Sequence, residues 1–132
     1  MTNYITNQYL QQRWVPAIAS GIPPAHALVK ITGATTLGEL LVEQTDGLTD
    51  YMHCIGDHYG AGNTEFFSVT LDLPAWVLYD DSVTPSPGEL WVPASSQWKI
   101  KRGPGGGSRG NFAIYGGADG TKVLVGPPRC TC

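Results

Sequence analysis

Turn signals interrupt this chain about every ten residues, and short runs rich in β-branched and aromatic residues lie between them. No other feature limits the fold as strongly. An ordinary helix needs roughly 8–20 residues free of glycine and proline punctuation, and the stretches here rarely offer that. The signals are Ser20-Gly21-Ile22-Pro23-Pro24, Asp46-Gly47, the loop DHYGAGN at 57–63, Pro85-Ser86-Pro87-Gly88-Glu89 and Gly117-Ala118-Asp119-Gly120. Trp14-Val15-Pro16-Ala17-Ile18 reads as a first extended piece, which Pro16 should confine to an edge or to the outside of a sheet. Strands are predicted over 26–33, 37–43, 51–55, 65–71, 74–79 and 97–102, with a closing Asp-Gly hairpin joining 111–116 to 121–126. In the 97–102 strand, Trp98 and Ile100 should share one face and Lys99 and Lys101 the other. No parallel βαβ spacing occurs. The expected fold is all-β, an antiparallel sandwich or barrel of short strands.

Composition agrees with that reading. The 132 residues include 17 glycines and 10 prolines but only 14% charged residues, a loop-rich β composition rather than a helical or charged disordered one. The expected division is an N-terminal arm at 1–20, a β domain at 21–126 and an extended tail at 127–132. Net charge is −3 with no dense basic run, so phosphate backbones are not the expected partner. Residues 1–8 lack a basic start and an apolar centre, and no apolar run would span a bilayer; the chain reads as having neither signal peptide nor membrane segment. Three cysteines, Cys54, Cys130 and Cys132, form no disulfide framework.

Four constellations invite chemistry, and each has a plainer explanation. Gly106-Gly107-Ser108-Arg109-Gly110 matches a nucleophile-elbow pattern, but a strand rather than a helix should follow it. The same loop lacks the Lys-Ser/Thr ending of a phosphate loop. His53, Cys54, His58 and the Cys130-x-Cys132 tail offer metal ligands without finger spacing, and strand alternation turns His53 and Cys54 to opposite faces. Asp80, Asp81 and Glu89 could pair carboxylates for glycoside hydrolysis, yet neighbouring aspartates on a strand end face apart. Trp76, Trp91 and Trp98 could form a sugar-stacking platform, although core or interface is the commoner fate of tryptophan. No enzyme activity, cofactor or metal is expected.

The order of several motifs resembles small β-rich structural proteins encoded beside capsid genes in tailed bacteriophages and prophages. Ile22-Pro23-Pro24 is followed by a strand ending Ile31-Thr32-Gly33, then by Ala75 to Asp81, and by Pro85-Ser86-Pro87-Gly88-Glu89-Leu90-Trp91. Trp98 with Gly103, and a glycine hairpin from Gly116 to Val125, complete the series, covering about residues 22–126. Val92-Pro93 stands where such proteins carry Gly-Pro, and the 103–110 loop is expanded. The resemblance implies a virion component made in the host bacterial cytoplasm, a capsid decoration (cement) or head-fibre protein. Its implied partners are the major capsid protein and copies of itself, for instance as a trimer, with no nucleic acid and no membrane. A tail, fibre or adaptor component and a carbohydrate-binding β-sandwich module are the alternatives. Aromatic or extended residues in otherwise polar termini are the candidate contacts: Tyr4, Tyr9 and Trp14 in the arm, and Pro127 and Arg129 in the tail.

Overall fold

A computed structural model describes residues 14–47, 52–72, 74–80, 83–95, 97–103 and 112–127. Among them there are ten strands and no helix. The first five are β1 (Val15–Ser20), β2 (Leu28–Ala34), β3 (Leu40–Gln44), β4 (His53–Gly56) and β5 (Phe66–Thr70). They close a barrel in the order β1-β3-β2-β4-β5. All pairs are antiparallel except β1 with β3, which run parallel from Ala17↔Leu40 to Ser20↔Glu43.

Five staves enclose little space, so the interior takes small side chains. Ala17, Ala19, Val29, Val42, Cys54 and Val69 fill it around one ring, Phe67. Gly56 makes room for that ring, since a Cβ there would lie 2.8 Å from Phe67 Cε2.

β1 departs from expectation. It is an interior stave paired on both sides, with Pro16 opposite Ser68 of β5, not an edge piece. Pairing with β3 begins only at Ala17, so the missing proline N–H breaks no ladder bond on that side. Residues 15–20, assigned by sequence to the arm, therefore belong to the barrel, while residues 1–13 lie outside the described residues.

The remaining strands are β6 (Ala75–Leu78), β7 (Leu90–Pro93), β8 (Ile100–Arg102), β9 (Phe112–Gly116) and β10 (Lys122–Val125), in the sheet order β6-β10-β9-β7-β8. The predicted closing hairpin is β9–β10, irregular at Leu124/Val125. The sheet curls until its two ends meet. Tyr79 bridges Ile100 in parallel, and Asp80 N–H donates to Ile100 O at 2.8 Å. Inside lie Val77, Trp91, Ile100, Phe112, Ile114, Val123 and Val125. The Trp91 ring meets Tyr79 edge-on at 6.0 Å between centroids. Full burial of rings such as Trp91 and Phe112 is worth roughly 2–3 kcal/mol each.

One wall of the barrel serves both halves. Successive residues of a strand face opposite ways. On β2, Val29 points into the barrel and Leu28 into the second core; on β4, Cys54 and Ile55 divide in the same manner. Backbone bonds fasten the halves: Leu78 N–H to His26 O and Leu28 N–H to Trp98 O, both 3.0 Å, with a bridge between Asp46 and Ser95. The expected 97–102 strand is shorter than predicted. Trp98 precedes β8 and packs against the barrel cluster, whereas Ile100 enters the second core, so the two do not share one face.

Candidate functional site

On the wall away from the second sheet, β5, β1 and β3 run side by side with nothing over them among the described residues. The registers Ile18↔Phe66 and Ile18↔Leu41 place three apolar side chains in one row across these strands. Phe66 is 60% exposed and Leu41 36%, with Ile18 half-buried between them. Trp14 and Pro16 continue this outward stripe along β1, and Leu37 at the tip of the β2–β3 turn is 86% exposed. Each row residue follows from an apolar doublet or its neighbour: Phe66-Phe67 and Leu40-Leu41 cannot both turn inward in a strand of period two.

Next to this face a polar group seals the joint between the halves. Lys30, outward on β2 yet buried, places Nζ 2.7 Å from Asp46 Oδ2 and 3.2 Å from Glu43 Oε1. Its hydrogen bond to Asp46 holds the ammonium above the ordinary lysine range, against the pull of burial. Beside it, Thr45 Oγ1 and His53 Nε2 lie 3.1 Å apart, both residues buried. Asp46 is also the residue bridged to Ser95, so the group reads as a strut.

A second feature is a groove of about 420 Å³ at the mouth of the curled sheet, where β6 and β8 meet through a single bridge. Leu78, Tyr79, Asp80, Thr84, Lys99 and Thr121 line it.

The structure separates most of the residues marked by sequence. Trp14 lies on the barrel face, whereas Pro127 follows β10 in the other half; Tyr4, Tyr9 and Arg129 lie outside the described residues. The three tryptophans do not make a platform: Trp91 is fully buried, Trp98 packs toward Gly21 and the barrel, and Trp76 lies half-buried on the outer face of β6 beneath Lys122 Nζ at 5.8 Å. Glu89 is not available to pair with Asp80. Its Oε1 accepts the Ser86 N–H at 2.8 Å and the Trp91 Nε1–H at 3.3 Å, and the Ser86 bond above all holds this carboxyl below its usual range. Cys54 is enclosed in the barrel, where burial pushes its thiol far up, and His53 points the opposite way toward Thr45. No group of three or more His, Cys, Asp or Glu side chains able to hold a metal occurs among the described residues. Residues 104–111 and 128–132, with the glycine loop and the tail cysteines, lie outside them.

Sequence reading missed Ile18, Leu41 and Phe66. The signal was present in the doublets, but a doublet alone does not say which wall will be covered. No protein-family profile, curated protein or solved structure matches the chain.

Proposed function

We propose that this protein is a non-enzymatic structural component of a bacteriophage virion, a capsid decoration protein that binds major capsid proteins and stabilises the shell. The observation that carries the proposal is the uncovered apolar row Phe66–Ile18–Leu41 on β5, β1 and β3. The equivalent outward residues of the opposite wall, Leu28 and Ile55, are covered by the protein's own second sheet. A partner on the shell would cover the row in the same manner. The motif order over residues 22–126 supplies the class of partner. A rigid double core presenting one apolar face suits a protein that adds buried area between neighbouring capsomers. Such binding stabilises the assembled shell by mass action and slows its opening.

The test is co-sedimentation with shells assembled from any major capsid protein encoded beside this gene, followed by electron microscopy. Saturating, regularly spaced density is expected, and the double variant Leu41→Glu, Phe66→Glu should lose it while melting within about 2 °C of the parent, since both side chains are exposed. Bare, well-formed shells with the parent protein would refute decoration and turn attention to tail, fibre or adaptor assemblies.

A further inference from the structure

We infer that the groove at the mouth of the second sheet is a binding site for a neutral saccharide. The groove exists because the curled sheet fails to close. Among the described residues the backbone links between these sheet ends are Tyr79↔Ile100 and the Asp80–Ile100 hydrogen bond, and the turn before β10 adds Gly120 and Thr121 to the lining. Mouths of β-barrels are recurrent ligand sites when a few polar groups converge on an apolar floor. Leu78 and Tyr79 supply the apolar part of the lining, Tyr79 only in part because its ring also packs edge-on against Trp91 in the core. Asp80, Lys99, Thr84 and Thr121 supply one carboxylate, one ammonium and two hydroxyls.

Among the described residues, none of these four side chains takes part in a hydrogen bond or ion pair. The ion pairs of the described residues engage other side chains, and Asp80 enters the hydrogen-bond network through its backbone N–H alone.

The mixture of groups selects the ligand. A phosphate would gain Lys99 but meet Asp80, and an apolar ligand would leave four polar heads unsatisfied. A zwitterion would match the two charges and leave the two hydroxyls and the Leu78 side chain unused. Vicinal hydroxyls of a sugar donate to a carboxylate and accept from an ammonium, exchange bonds with threonine, and offer a C–H face to Leu78 and Tyr79. The groove is open and small, so a dissociation constant of about 1 mM is expected. This site lies in the other half from the apolar row, and its test is independent of shell binding.

The test is titration of the ¹⁵N-labelled full chain with glucose, galactose, N-acetylglucosamine, lactose and maltose, with sodium phosphate and glycine as separate arms. At least one saccharide should shift the Leu78, Asp80 and Thr121 amides with saturation. Asp80→Asn and Lys99→Met should each weaken that response at least about tenfold, as expected for loss of a charge-assisted bond, while leaving the rest of the spectrum in place. A response to phosphate or glycine alone overturns the ligand class. No saturating saccharide response, or one that survives either substitution, overturns the site.

Discussion

Gly60 and Gly62 share one backbone geometry but differ in surroundings, which isolates a packing cost from a conformational one. Their φ angles are +68° and +61°, in the left-handed region. Alanine at either position incurs left-handed strain of about 1–2 kcal/mol. Around Gly62 nothing lies within 4 Å of an added Cβ, so Gly62→Ala should cost only that strain. At Gly60 the same atom would lie 2.6 Å from both Ala25 N and Pro24 C and 2.9 Å from Pro23 O. All three are backbone atoms, fixed by the bond from Ala61 N–H to Pro23 O and from His26 N–H to Asp57 O. Forcing them apart adds an overpacking cost of about 1–3 kcal/mol. With 132 residues and an unfolding entropy of about 2.1 cal/mol/K per residue, 1 kcal/mol corresponds to about 3.5 °C. Gly62→Ala should therefore lower the melting temperature by about 4–7 °C and Gly60→Ala by about 7–17 °C, measured by circular dichroism in one buffer. Equal losses in the two variants would refute the claim that loops 21–27 and 57–64 are packed backbone against backbone.

Further outcomes follow from other parts of the molecule. Deleting residues 1–13 should weaken binding to shells and leave the melting temperature nearly unchanged, because β1 begins at Val15; unfolding of the truncated chain would contradict the assignment of that segment as an arm. His26, at φ 60°, is held below the usual imidazole value of 6.5 first by burial and then by Lys122, against a backbone hydrogen bond with Trp76 that raises it, with His58 lowering and Asp119 raising it as lesser influences. Its neutral form stabilises the fold fully above pH 6.5, and that contribution is lost as pH falls through the lowered folded value. The melting temperature should drop between pH 7 and 5, and His26→Gly, which suits the positive φ, should flatten that slope; an unchanged slope would assign it to other groups. In a Cys130→Ser, Cys132→Ser background, Cys54 should react with a thiol reagent only as fast as the protein unfolds, since the thiol is enclosed and its ionisation is suppressed. Prompt labelling under native conditions would show the barrel to be open.

The class of fold was legible because its evidence is local. Alternation in Ala27 to Ile31 and the Asp119-Gly120 turn act over a few residues, and both lead to strands at the expected places. What depends on distant partners was not legible. Pro16 argued for an edge by its own chemistry, yet its place in a closed barrel depends on where β3 happens to begin pairing. Trp98 and Ile100 have the spacing of one face, but a strand that starts only at Ile100 lets them enter different cores. The doublets show the limit most directly. Leu28-Val29 and Phe66-Phe67 are equivalent in pattern, and only the position of the second sheet makes one a shared wall and the other an exposed face. The candidate contacts at the termini rested on composition, whereas the row on the barrel arises from register, which no short stretch of sequence contains.

The placing of β1 has a consequence for synthesis. The first stave to leave the ribosome has no partner next to it in sequence: Ile18 waits for Leu41 on one side and Phe66 on the other. Until β5 has emerged, β1 can pair only with β3, and β1 and β4 both keep an open edge, so closure of the barrel is a late event dominated by long-range contacts. A nascent chain interrupted before residue 66 therefore displays the adhesive surfaces that the finished barrel buries, and conditions that slow translation there should favour aggregation over assembly.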